Sequence, residues 1–252
     1  MQKHKVLLVL ILSMTIHFSF SQKVDSTKPP FHFGGAVLLT NNGISLIPTF
    51  SLNKPAVLFY LSMGKGRLSF EPDLRFSMEG KPWSFLFWWR YRVRADKFLV
   101  SIGAHPAMNF KTEIASDGNE MIVARRFLAA ELSPNYLITR DMSVGVYYLY
   151  SRGFDKGAPA NTHFLTLNSN FSNIRLTKQF FMRVSPQFYY LKQDSHNGFY
   201  FTAAVTLAKR NFPLSISSIF NKTIETEITA SKDFVWNISL IYSFSKNYVE
   251  KK

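Results

Sequence analysis

Along most of the chain, apolar and polar residues alternate one by one. From Arg67 to Met78, Leu68, Phe70, Pro72, Leu74, Phe76 and Met78 share one face, and Arg67, Ser69, Glu71, Asp73, Arg75 and Ser77 share the other. A period of two separates the faces of a strand, whereas a helix would mix them. Trp83 to Arg94 repeats the pattern, with Trp83, Phe85, Phe87, Trp89, Tyr91 and Val93 opposite Ser84, Leu86, Trp88, Arg90, Arg92 and Arg94. In the next segment Phe98, Val100, Ile102, Ala104, Pro106, Met108 and Phe110 oppose Ser101, Gly103, His105, Asn109 and Lys111. The alternation predicts strands with one face apolar enough to sit in lipid.

The same rule, cut at turn sequences such as Asn53-Lys54-Pro55, Gly64-Lys65-Gly66, Glu79-Gly80-Lys81-Pro82 and Ala95-Asp96, yields twelve segments. They lie at 44–52, 56–63, 67–78, 83–94, 97–110, 121–136, 142–152, 162–174, 180–192, 198–208, 214–222 and 234–244. Each is near the ~9–11 residues a tilted strand needs to cross a bilayer. Long connections at 111–120, 153–161, 193–197 and 223–233 alternate with short ones at 137–141, 175–179 and 209–213. Bacterial barrels show that asymmetry, with long external loops and short periplasmic turns. Assigned in this way, the strand at 44–52 runs outward, the last strand runs inward, and both ends of the barrel fall on the periplasmic side. Phe31 to Thr40 precedes the hairpin-like Asn41-Asn42-Gly43 and has three compatible placements. It is a thirteenth strand, the lower part of the first strand below a bulge, or a segment folded into the lumen, and even-number closure favours the last two. Pro48, Pro72, Pro106, Pro134 and Pro186 fall inside strands on the apolar face, where each removes a ladder donor and calls for a bulge.

Composition narrows the class. The 252 residues include no cysteine, which excludes a disulfide framework and a thiolate metal site. Lys3, His4 and Lys5 precede the apolar run Val6 to Ile16, and Ser19-Phe20-Ser21 puts small residues at −3 and −1 of a cleavage site, so residues 1–21 read as a secretory signal peptide. Residues 22–43 then form a periplasmic lead-in, a lumen segment or the start of the first strand; 44–244 form the barrel and 245–252 a periplasmic tail. Beyond the leader no apolar run approaches the ~18 residues of a transmembrane helix. The mean hydropathy of −0.03 agrees with faces that alternate and cancel. A net charge of +14 points to an anionic partner. Lys54, Lys65, Lys81, Lys251 and Lys252 sit at tips and tail, where solvent or lipid head groups account for them better than nucleic acid does.

Phe234 to Phe244 places Phe234, Trp236, Ile238, Leu240, Tyr242 and Phe244 on one face. This resembles the aromatic-ended final strand of the Gram-negative outer-membrane β-barrel family, which the barrel-assembly machinery recognises; here Ser245 to Lys252 follow it. The leader, the alternating segments and this strand together cover nearly the whole chain. The resemblance implies an all-β fold, a single antiparallel transmembrane barrel of about twelve strands, exported to the outer membrane and in contact with its lipid.

Twelve-stranded members of that family include narrow porins for acidic sugars, a lipid-degrading phospholipase, and barrels with no transport role. The lumen face would carry Arg67, Arg75, Arg90, Arg92, Arg125 and Arg183 against Glu71, Asp73 and Glu131, an excess that favours small anionic solutes as arginine rings do in anion pores. The alternative is that Arg90 or Arg92 pairs with Glu71 or Asp73 and the lumen is closed, since twelve strands lie between a filled barrel of eight and an aqueous one of sixteen. For lipid hydrolysis, His163 lies near the external rim, but Asn168, Ser169 and Asn170 lack the spacing of the family's Ser-His-Asn arrangement, and Ser151 should point inward. His105, in mid-strand on the lumen face, is expected to be a satisfied hydrogen-bond partner and not a metal ligand. Trp83, Trp88, Trp89, Tyr147, Tyr148, Tyr150, Tyr189 and Tyr190 would contribute to aromatic girdles. No cofactor motif is present, and the expectation is a non-enzymatic barrel: a narrow channel, or a closed structural or loop-displaying one.

Overall fold

In a computed structural model, residues 29–229 and 232–248 are described. The expected leader at 1–21 and the end of the tail at 249–252 lie outside them.

The strands are β1 (Phe31–Thr40), β2 (Ala56–Lys65), β3 (Leu68–Ser77), β4 (Pro82–Ala95), β5 (Phe98–Ile114), β6 (Glu120–Leu137), β7 (Met142–Gly153), β8 (Asn161–Arg175), β9 (Phe180–Gln193), β10 (His196–Lys209), β11 (Leu214–Thr226), β12 (Phe234–Trp236) and β13 (Ser239–Tyr248). Sequence neighbours pair antiparallel, and the sheet closes where β1 pairs with β13, from Phe31↔Tyr248 to Thr40↔Ser239. β11 pairs with both β12 and β13, so these two pieces make one final stave and the barrel has twelve. The break at Asn237 and Ile238 keeps its backbone groups bonded: the Asn237 side chain accepts from the Ile219 N–H at 2.9 Å, and the Asn41 side chain accepts from the Ile238 N–H at 2.8 Å. Closure abolishes the unpaired edges that no strand can expose to hydrocarbon.

The alternation sorts as expected. Trp89, Leu128, Leu167, Phe188, Ile216 and Leu240 are exposed on the outer face. Phe59, Phe76, Phe85 and Phe110 step across β2 to β5 with ring centroids 6.2, 5.2 and 5.0 Å apart, and Phe70 lies 4.6 Å from Trp89. Arg75 and Arg90 point into the lumen.

Each mid-strand proline breaks the ladder on one side only. Pro72 pairs with Phe87 in unbroken register, while the β2–β3 ladder skips from Tyr60↔Asp73 to Met63↔Phe70. Pro106, Pro134 and Pro186 likewise keep partners in Leu128, Val100 and Ala203, and the opposite ladders skip two pairs beside each of them. The missing N–H faces the gap, so a local loss of pairing replaces the bulge expected at each site.

Two assignments change. The first stave is Phe31–Thr40 and not 44–52; the latter carries a 3-10 turn at Pro48–Phe50 and no strand. The direction of the stave is the same, which is why counting back from the last strand placed both barrel ends together. The last stave also runs past Phe244 to Tyr248, so residues 245–248 belong to the wall.

Candidate functional site

Segment 41–55 leaves β1 at the long-loop end and folds back into the bore. Its neck is pinched by backbone bonds, Gly43 N–H to Lys54 O at 2.8 Å and Leu52 N–H to Gly43 O at 2.9 Å. Gly43 permits the pinch, because a Cβ there would lie 3.0 Å from the Trp83 ring. Inside the loop the Ser45 N–H donates to Ser51 Oγ at 2.9 Å and the Phe50 N–H to Ile47 O at 2.9 Å. The loop then reaches across the lumen. Trp83 Nε1 on β4 donates to Phe50 O at 2.7 Å, the Phe50 ring meets Phe127 of β6 edge-on at 5.2 Å, and Gln193 of β9 donates to Thr49 Oγ1 at 3.0 Å. Anchors on three separated staves make this segment a plug.

Trp83 holds the plug because it does not face lipid. The β3–β4 register slips between Arg75↔Ser84 and Phe76↔Pro82, and the extra residue turns inward, where it is 2 % exposed and packs with Ala56 and Leu58. Strict alternation places it on the outer face, and the bulge reverses that.

The plug separates two spaces. A chamber of about 640 Å³ lies in mid-barrel, walled by Ile47, Leu86, Trp88, Phe127, Leu149 and Phe164, with Ser133, Asn135, Asn168 and Gln187 toward the periplasmic half. A second space of about 370 Å³ opens between the plug and β3 to β6 near Glu79, Lys81 and Glu120. Phe50 and Asn109 line both.

One wall of the chamber carries compensated charge. Arg90 donates to Glu71 of β3 and to Glu131 of β6, and Tyr147 O–H donates to Glu131 at 2.7 Å. The Arg90–Glu131 bridge passes over β5 at Gly103, where a Cβ would stand 2.8 Å from Glu131 Oε1 and 3.1 Å from Arg90 Cγ. Arg75 is paired with Asp73 and lies 5.2 Å from the centre of the Trp83 ring. Arg75 and Arg90 line the chamber, and Glu71, Asp73 and Glu131 do not.

The remaining predicted residues lie elsewhere. Arg67 and Arg92 sit at the periplasmic mouth, where Arg67 donates to Val93 O at 3.2 Å, and Arg183 lies near that mouth over the Phe181 ring. Arg125 is paired with Glu113 beneath the external loop at 154–160. His105 is buried, with its ring centre 3.7 Å from that of Trp88 and Nδ1 3.3 Å from Pro106 O. His163 faces outward between Tyr148 and Tyr150, with Nδ1 2.9 Å from Tyr148 Oη, while Ser151 and Asn168 point into the chamber. The structure therefore does not bring His163 together with Ser151 and Asn168. Among the described residues no group of three acidic or histidine side chains is placed to hold a metal. Of the eight tyrosines and tryptophans expected to form girdles in part, Trp83, Trp88, Tyr147 and Tyr189 are lumen residues. Tyr189 is buried and stacks on Tyr200 at 4.7 Å.

No family model matches the chain, and no curated protein matches it in sequence. Solved structures do. An outer-membrane channel from Pseudomonas putida F1 superposes with a TM-score of 0.50 at 8% identity, over 89% of this chain and 100% of that one. The fold is that of an outer-membrane β-barrel. The KdgM porin in complex with disordered oligogalacturonate is similar at TM-score 0.47 and 10% identity, over 84% of this chain and 99% of that chain. The NanC porin gives 0.47 at 14% identity, over 85% of this chain and 100% of that chain. At 8% identity the likeness to the Pseudomonas putida channel speaks to the barrel alone and leaves the solute to be argued from the lumen.

Proposed function

We propose that the protein is an outer-membrane channel for small solutes, with its bore narrowed by the plug at 41–55 and a preference for anions. The observation that carries this reading is the chamber: a barrel that served only as a wall would fill its lumen with side chains, whereas here about 640 Å³ stays open in mid-barrel. The anion preference rests on charge placement. Arg67, Arg92 and Arg183 stand at the periplasmic mouth without a carboxylate partner among the described residues, and arginines lining a mouth lower the entry barrier for anions. Arg75 and Arg90, paired with Asp73, Glu71 and Glu131, contribute less to the long-range field. The outer apolar face would contact lipid, and β13 would be read by the barrel-assembly machinery.

The same ion pairs and the plug favour a second reading, a closed barrel that displays its loops. Planar-bilayer recording of the purified full chain separates the two. The channel reading expects a small conductance and a reversal potential displaced toward that of the anion under a potassium chloride gradient. A silent barrel, or one that prefers potassium, would end it.

A further inference from the structure

We infer that the mid-barrel chamber selects small organic carboxylates that carry an apolar, preferably aromatic, body, in preference to hydroxyl-rich anions or to cations. This rests on the channel reading and names its solute class.

The walls supply the first half of the argument. Trp88, Phe127, Phe164, Leu86, Leu149 and Ile47 present ring and aliphatic surface to the same space, and Ile47 is brought there by the plug itself. A polyhydroxylated solute would regain hydrogen bonds only where Ser133, Asn135, Asn168 and Gln187 line the chamber and would lose water against the apolar walls without return, whereas an apolar body loses little there.

The charged side chains supply the second half. Arg75 and Arg90 are the ionic groups that line the chamber; of their carboxylate partners Asp73 and Glu131 are buried, and Glu71 is as exposed as Arg90 but does not line the chamber. Arg90 uses Nε and one hydrogen on each terminal nitrogen toward Glu131 and Glu71, and Arg75 uses Nε and Nη2 toward Asp73. A guanidinium has five N–H donors, so each keeps donors for an acceptor in the chamber, and a carboxylate is the acceptor that matches its fork. Trp88 ties the halves together, because the Arg90 guanidinium lies 4.3 Å from its ring centre on the wall where an aromatic body would rest. A solute with its carboxylate on Arg75 or Arg90 and its ring along Trp88 and Phe164 satisfies both sets of groups. The volume, about 640 Å³, admits a single-ring acid with water around it.

The experiment measures flux through the full-length protein in liposomes and bilayers with four probes that each carry one six-membered ring: benzoate, glucuronate, benzylamine and benzyl alcohol. Benzyl alcohol diffuses through lipid, so its arm is read as block of the chloride current. Expected is a preference for benzoate over glucuronate of about five- to tenfold, the weight of one aromatic contact. Benzoate should also block chloride current at lower concentration than benzyl alcohol or benzylamine. In Trp88→Leu the ratio of benzoate to glucuronate flux should fall toward one. Equal flux of benzoate and glucuronate, stronger block by benzylamine, or equal block by benzyl alcohol overturns the inference and leaves the channel reading intact. Absence of chloride conductance in the wild type overturns both.

Discussion

Trp83→Ala tests the plug most severely. The indole is 2 % exposed, donates 2.7 Å to Phe50 O, packs on the Ala56 and Leu58 cluster, and closes against Gly43 at the neck of the loop. Truncating a buried tryptophan to alanine costs about 3–5 kcal/mol. The contacts with Phe50, Gly43 and Leu52 belong to the state in which the loop occupies the bore, whereas those with Ala56 and Leu58 lie within the barrel wall and persist when the loop leaves. The plugged state therefore carries only part of the cost, about 2–3 kcal/mol, and the population with the loop displaced should rise about thirtyfold to a hundredfold. Trp83→Phe keeps most of the ring and removes the donor, about 1 kcal/mol or roughly fivefold. Single-channel recording reads the effect directly: the alanine variant should show larger and longer openings, the phenylalanine variant should fall between it and the wild type, and both should keep the barrel's heat-modifiable mobility on gels. If Trp83→Ala folds normally and its conductance and noise match the wild type, segment 41–55 does not restrict the bore.

Three further outcomes follow from other parts of the molecule. Glu131→Gln keeps an acceptor for Tyr147 and removes one lumen charge, so the reversal potential should move further toward the anion, measured under the same salt gradient. Leu167→Arg on the lipid face should cost about 2–4 kcal/mol in urea-monitored folding into liposomes, whereas Asn168→Arg, one residue on and facing the chamber, should cost far less. In the external loop, hydrogen bonds from the Arg126 side chain and then from its N–H hold the Asp155 carboxyl down to about 2. A carboxylate whose folded pKa lies below its usual 3.8 contributes its tether above that value and loses it as pH falls toward 2. Amide exchange at Arg126, compared with Asp155→Asn at each pH, should therefore show a protection difference at pH 7 and at pH 4 that vanishes near pH 2.

Much of the wall is legible in the chain because lipid and lumen demand opposite side chains at every step. That demand places Phe70, Phe85 and Trp89 outside and Arg75 and Arg90 inside with no knowledge of pairing. The plug is not legible by the same rule. Ile44, Leu46 and Ile47 are apolar because they line a chamber, and an apolar loop inside a barrel reads as one more strand. The signals against that reading are Pro48, which cannot donate to a ladder, and the turn residue Asn53, which sits at positive φ. Strict alternation misplaces Trp83 because it assumes an unbroken pleat, and one inserted residue near the start of β4 turns that side chain to the other face. The Arg90 pairs were half legible. Glu71 lies on the adjacent stave and was a natural partner, but Glu131 is two staves away, reached only because Gly103 leaves a gap between them.

The absence of native cysteine allows one measurement that addresses the central claim, that solute passes through a chamber roofed by segment 41–55. A single cysteine at Ser45, which lines the chamber, is treated during a bilayer recording with a charged, membrane-impermeant thiol reagent, with Leu39→Cys on the exposed outer face as control. The account predicts that current through Ser45→Cys falls stepwise and irreversibly while Leu39→Cys is unaffected. Current through Ser45→Cys that survives modification confirmed by mass would contradict it.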